Sequence, residues 1–453
     1  MINENNGVIL FTLIFFIVSS SVAAAQTPLA LEESIDIALK NSFVLNIAKE
    51  GTRGATAQKR EAMTGFLPKF STSYRYTRLN EAPQIKFPGY EFPGHDPIPP
   101  FSVPAFGITA GTKNNYNWII EAKQPIFAGG GILANYQASR IGADVASVEE
   151  IAKYQDVVQD VKIAYFDVLR AQRVLEAADQ SVKMLEAHRD VADNYFQVGF
   201  IAKNDLLQAE VELANGRQTL IRAQNAVDMA KSRFNTLLKR RIFEPVNIVD
   251  MLNYQPLEQS LEECLAIAKE NRPELKVAAL KAEQASKAVW MARSELFPSL
   301  SLVGNYTRFG DEASVSGSKF QDAESWYVMA VASWNFWEWG RTKFRVDASK
   351  ARENQAIETS KEVNDQITLE IKNAYLLLKE AENQILVSEK VIEQAEENFR
   401  ISEERYKERV STSTEVLDAQ TLLTRAKSQY ANALGDYNIN YAKLQRAMGV
   451  IGP

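Results

Sequence analysis

Two acids near the end of the chain, Glu415 and Asp418, have the residue type and spacing best suited to chemistry. Three apart, they share one face of a helix. Acids placed this way act on ions rather than on bonds. Repeated around an axis, they would form stacked negative rings that attract cations and repel anions. On a lone solvated helix near its N-terminus, the helix dipole would simply favour them. Bond-making chemistry is poorly supplied elsewhere. The 453-residue chain holds two histidines, His95 and His188, and one cysteine, Cys264, which cannot form an intramolecular disulfide. No nucleophile elbow, phosphate-binding glycine loop or metal-spaced cluster occurs, so neither an enzyme nor a metal or other cofactor is expected. A net charge of −6 with no basic stripe argues against nucleic acid as a partner.

The acids sit in a heptad pattern. From Val161 to Leu185 apolar or small residues recur at alternating spacings of three and four, and Ile371 to Phe399 keep the same register 210 residues later. A second pair runs from Leu206 to Leu237 and from Val416 to Ala447. Large residues fill one seam position and mostly Ala, Gly or Ser the other, which lets antiparallel helices interdigitate closely. No proline interrupts residues 126–244 or 336–452. The first helix of each hairpin is therefore predicted to run for about 65–70 residues, on the order of 100 Å. The breaks fall at Val198-Gly199-Phe200-Ile201 and Arg409-Val410-Ser411-Thr412. Asn204 or Asp205, and Thr412 or Thr414, are the expected caps of the returning helices.

Strands are expected over 69–78, 117–127, 299–309 and 326–336. Phe70, Thr72, Tyr74 and Tyr76 alternate with Ser71, Ser73, Arg75 and Thr77, and Trp326, Val328, Ala330, Ala332, Trp334 and Phe336 form an almost wholly apolar face. About ten alternating residues suit a membrane-spanning strand. Trp118, Trp326, Trp334, Trp337 and Trp339 are placed as an interfacial aromatic girdle. Two soluble hairpins packed on helices are the alternative. Four strands cannot close a barrel, and lipid does not tolerate open edges. Eight strands from two copies would fill with side chains, whereas twelve from three leave a lumen. A trimer follows. Residues 79–116, rich in proline and glycine, read as a long surface loop.

The chain also repeats itself. Residues 31–78 lie over 261–308 without a gap, with 15 of 48 positions identical, and from residue 118 the match resumes at a shift of 210. The twenty-residue difference is an insertion in the first copy. A duplication this long makes the halves structural equivalents. The first repeat covers 26–258, with short helices at 29–64 and a helical hairpin at 130–240. The second covers 259–453, with short helices at 260–295 and a hairpin at 338–448. Val8 to Val18 and Ala23-Ala24-Ala25 mark residues 1–25 as a secretory signal expected to be cleaved, although residues 1–6 carry no Lys or Arg; an uncleaved anchor helix is the alternative, for which the apolar run is short. After it no stretch is apolar enough for a transmembrane helix.

Together the signal segment, the duplication, Leu31-Glu32-Glu33, Phe66-Leu67-Pro68 before a strand and the heptad hairpins resemble the TolC-type outer-membrane efflux family. The most specific segments are Asn204-Asp205-Leu206-Leu207-Gln208-Ala209-Glu210 and Thr414-Glu415-Val416-Leu417-Asp418-Ala419-Gln420. The resemblance implies a mostly α protomer with four strands, pooled by a homotrimer into a twelve-strand transmembrane β-barrel and an α-helical tunnel across the periplasm. It implies a passive exit duct in outer-membrane lipid, docked to a periplasmic adaptor and through it to an inner-membrane pump. By the same resemblance Glu415 and Asp418 match the acidic constriction of the periplasmic gate. Asp205 and Tyr406 match links that latch the entrance. Where the family commonly has Gly and then a basic residue, this chain has Arg409 and then Ser411, so Arg409 is the candidate positive partner. Val198, Gly199, Phe200, Arg409, Val410, Ser411 and Thr412 are the adaptor-docking tips. The rival is a soluble periplasmic coiled-coil adaptor or structural protein without channel activity, which explains the hairpins but not the strands.

Overall fold

The computed structural model describes residues 28–452, and the predicted signal, residues 1–25, lies outside the described residues. Short helices α1 (Leu31–Asn41) and α2 (Phe43–Thr64) lead into strand β1 (Lys69–Arg78). Four short strands follow: β2 (Gln84–Phe87), β3 (Tyr90–Phe92), β4 (Phe101–Val103) and β5 (Phe106–Thr109). Strand β6 (Asn114–Ala128) runs into helix α3 (Gly131–Gln197), and α4 (Lys203–Leu238) returns. The second copy repeats the plan with α5 (Leu261–Asn271), α6 (Pro273–Ser294), β7 (Ser299–Gly310), β8 (Glu324–Ser333), α7 (Arg341–Lys407) and α8 (Ser413–Ala447). Local signals set several of these starts. Ser260 and Glu263 form a reciprocal capping box on α5, and Pro273 opens α6, where its missing N–H costs nothing.

The long helices α3 and α7 each have 67 residues, on the order of 100 Å. Their seams bury the predicted residues at matching places. Ala38, Val161, Val168 and Phe234 lie in one core, and Ala268, Ile371, Leu378 and Leu444 in the other. Each large apolar side chain so buried stabilises by about 1.5–3 kcal/mol. Cys264, where the first copy has Ser34, is as fully buried as that serine. The halves are tied by a buried charge network. Arg446 reaches Asp156 (2.7 Å) and Glu274 (2.6 Å), and Arg272 pairs with Glu274 and Glu370 (each 2.7 Å). Burial pushes the Asp156 carboxyl up, but hydrogen bonds from Lys153 and Arg446 outweigh it and hold the group below its ordinary value.

The main sheet is antiparallel with order β1-β6-β7-β8, leaving β1 and β8 as open edges. Each strand joins one helix at the same end of the sheet. Below it the helices therefore lie in the matching order α2-α3-α6-α7. Among the described residues no helix is long and apolar enough to cross a membrane. The pairing puts Phe70, Tyr74, Trp118, Ile120, Leu302, Tyr306, Trp326 and Val328 on one face of the sheet. Ser73, Arg75, Asn117, Glu121, Asn305 and Thr307 lie on the other. Trp118 and Trp326 sit toward the end away from the helices. Trp334, Trp337 and Trp339 lie at the helix end, between β8 and α7. The eight steps from Trp326 to Trp334 cover roughly 26 Å of chain, or about 20 Å of height at a barrel strand's ~40° tilt, close to that of an outward apolar band.

Three expectations need correction. Residues 79–116 are not an irregular loop: β2 pairs with β5 and β3 with β4, so the β1–β6 hairpin continues outward as a ribbon. Its prolines escaped the usual veto because Pro88 and Pro104 stand between strand pairs and Pro93, Pro97, Pro99 and Pro100 at the far turn, where no ladder N–H is needed. The last strand covers Glu324–Ser333 rather than 326–336. Ser333 pairs with Ser299, and the preceding Pro298 cannot extend the ladder, so Trp334 and Phe336 fall in the link to α7. Alternation also puts Ile126 on one face with Trp118, Ile120 and Ala122, but a bulge between Pro125 and Phe127 leaves it without a ladder partner.

Candidate functional site at the hairpin tips

Both hairpins turn in the same way. The Phe200 N–H donates to Tyr195 O (2.8 Å) and the Val410 N–H to Arg405 O (2.8 Å), each past a left-handed residue. That residue is Gly199 (φ 77°) in the first tip and Arg409 (φ 63°) in the second. An arginine there costs roughly 1–2 kcal/mol of backbone strain. Its guanidinium lies over the Phe200 ring, 3.9 Å from the centroid, and 5.9 Å from that of Tyr195. A contact of this kind returns about 0.5–2 kcal/mol. Arg409 therefore clasps the neighbouring tip, and among the described residues it forms no ion pair with Asp205.

Asp205 does not cap its helix. Ala202 holds the N-cap position, and the Asp205 N–H already donates to Ala202 O (3.1 Å). On the other hairpin Thr412 does cap, accepting from the Glu415 N–H (3.4 Å). Tyr406 is buried, 4% exposed. Its phenol is pushed above its ordinary value first by burial and then by the charge of Asp205. No hydrogen bond joins the two within the protomer. Ser413, next to Tyr406 in this cluster, is engaged by His188 Nε2 (2.8 Å).

His188, Tyr195 and Ser413 complete the cluster and were not singled out from the sequence as tip residues. The His188 ring lies 5.0 Å from that of Tyr406, and Tyr195 lies 5.7 Å from Tyr406 and donates to Lys407 O (3.2 Å). Burial holds the His188 imidazole below its ordinary value, against the pull of Glu403. A lone histidine off the heptad seam carries no sequence signal for this placement.

Glu415 and Asp418 are both exposed at the start of α8. Glu415 approaches Arg405 of its own hairpin at 3.8 Å, with both side chains about half exposed. A pair so solvated contributes little. Asp418 has no ion-pair partner among the described residues. At the turns Val198, Phe200 and Val410 are each more than half exposed, and Gly199, Ser411 and Thr412 complete the two tips.

An amphipathic sheet with two open edges, continued by long polar-faced helices, defines the class: a β-barrel protomer of the outer membrane with a helical body. The outer membrane efflux protein family matches residues 34–238 and 265–450, once in each repeat. The chain belongs to that family, whose members are channels and not enzymes. It is 21% identical to nodulation protein T of Rhizobium leguminosarum bv. trifolii over 64% of this chain and 62% of that protein. It is 21% identical to outer membrane protein TolC of Escherichia coli K12 over 70% of this chain and 67% of that one. The chain thus spans about two thirds of the length of these curated relatives. Its fold matches the Campylobacter jejuni CmeC outer membrane channel (TM-score 0.78, 19% identity, 92% of this chain and 85% of that one). It also matches VceC of Vibrio cholerae (TM-score 0.77, 15% identity, 92% and 96%).

Proposed function

We propose that this chain is the outer-membrane exit duct of a tripartite efflux or type I secretion assembly, acting as a homotrimer that docks to a periplasmic adaptor and is coupled through it to an inner-membrane pump. The observation that carries the reading is the pair of open edges, β1 and β8, on a sheet with one apolar face. Unpaired edges are untenable in lipid, and three copies would close twelve strands around a lumen. The helical body supports the same arrangement. Apolar side chains stand exposed on its flanks, Val211 and Ile221 on α4 and Leu369, Leu376 and Val387 on α7. Leu369, Leu376 and Val387, seven and eleven residues apart, share one face of α7, a placement that suits an interface.

In the trimer Glu415 and Asp418 would form two stacked rings of three carboxylates at the tunnel's narrow end, selecting cations and resisting anions. Asp205, Tyr406 and Arg409 would hold that end closed, and the apolar tips at Val198, Phe200 and Val410 would receive the adaptor. The duct supplies a path and the pump supplies the energy. Native mass spectrometry of the detergent-extracted protein tests the reading. A trimer of the chain is expected, whereas a stable monomer that leaves membranes with high salt alone would instead favour the soluble adaptor.

A further inference from the structure

The ribbon carries an apolar face on each of its two ladders. In β2–β5 Ile85 pairs with Ile108 and Phe87 with Phe106, with Lys86 turned the other way, and in β3–β4 Phe92 pairs with Phe101, with Glu91 and Ser102 turned the other way. The aromatic pairs stack with centroids 4.8 Å apart, and all six apolar side chains are at least 41% exposed. Apolar faces so exposed require a cover. Lipid is poorly placed to provide it. The ribbon leaves the sheet at the end away from the helices, beyond Trp118, Trp326 and Tyr74, the side chains that mark the outer membrane interface. It also continues β1, the open edge at which a neighbouring copy would pair.

We infer that the ribbons of neighbouring copies are that cover: in the trimer they bend over the outer mouth and pack their apolar faces together as an aromatic cap. The inference rests on the trimeric reading. Twelve strands at ~4.8 Å spacing and ~40° tilt enclose a radius of roughly 12 Å. The arm from Leu79 to Phe92 can reach on the order of 45 Å, ample to meet its neighbours at the axis. The barrel holds the three arms at high local concentration, so even modest faces would associate. Residues 311–323, the corresponding connection in the second copy, carry no such arm, so the cap comes from the inserted segment alone.

The test uses full-length protein in outer membranes with Cys264→Ser. Phe92→Cys is expected to give disulfide-linked subunits across copies. Ser73→Cys, on the polar face of β1, is expected to react with a bulky external polymer maleimide at least tenfold faster once residues 84–109 are replaced by a short Gly-Ser turn. No Phe92→Cys cross-link, or equal labelling with and without the ribbon, overturns the cap. Equal labelling is also the outcome expected if the ribbon lies on the outer leaflet. A Thr72→Cys/Val328→Cys pair bridged by a short bismaleimide separates the two failures. If it links copies while Phe92→Cys does not, only the cap falls, and if it fails as well the trimer falls with it.

Discussion

The guanidinium of Arg409 lies 3.9 Å from the centre of the Phe200 ring, so one hairpin tip reaches across and holds the other. The repeat explains how it comes to be there. Left-handed residues recur at a shift of 210: Gly129 and Trp339, Gly130 and Gly340, Gly199 and Arg409, Lys239 and Gly449. The duplicated backbone persisted where the residue type did not. At the tip the second copy exchanged a glycine's freedom for a cation over an aromatic face.

Arg409→Ala keeps the strained backbone and loses the clasp. The tips should open locally by about 1 kcal/mol, read as several-fold faster amide exchange at residues 198–202 and 409–412. Arg409→Gly relieves the strain as it removes the contact and should stay near the parent. Equal exchange in Arg409→Ala and the parent would remove the clasp.

Glu415→Gln with Asp418→Asn should lower cation selectivity and weaken block by divalent cations in planar bilayers, because six negative charges leave the proposed throat. The helix itself should lose only about 0.3–1 kcal/mol, since both acids stand in or near its first turns. Unaltered selectivity and block would place the acids on an ordinary wet surface.

Acid should loosen the tip. The buried His188 has a depressed folded-state value, so its contribution is complete above its ordinary value of about 6.5 and declines as pH falls through the folded one. The groups facing it are Ser413, Tyr406 and Glu403. Amide-exchange protection around residues 185–200 and 406–416, taken relative to the intrinsic exchange rate at each pH, should therefore fall between pH 7.5 and 5.5. His188→Gln, which can still bond Ser413, should lose most of that dependence.

Two helix glycines should respond differently to alanine. A Cβ at Gly216 would crowd the end of Leu185, 2.6 Å away, which can rotate aside, and would touch Val182 at an ordinary 3.7 Å. The helix-propensity gain of about 1 kcal/mol should roughly offset that cost. A Cβ at Gly435 would meet the stem of Arg170, which Asp167 and Asp436 pin in place. Gly435→Ala should then destabilise by about 1–3 kcal/mol. Thermal unfolding of the two variants in detergent checks the order.

The sequence by itself determined everything with a local period. Spacings of three and four set the long helices, alternation set the spanning strands to within a few residues, and the breaks in the heptads placed the tips at 198–201 and 409–412. What it could not determine was what those elements do to one another. The ribbon within 79–113 was hidden by its prolines until strand pairing showed that none occupies a ladder position. The Arg446–Asp156–Glu274 network, the contact of His188 with Ser413 and the reach of Arg409 over Phe200 join residues 172 to 290 positions apart or 225 apart, or lie across two hairpins. No period encodes such pairs. A repeating pattern specifies which face of an element seeks cover, and only the packed helices bring together the particular side chains that meet beneath it.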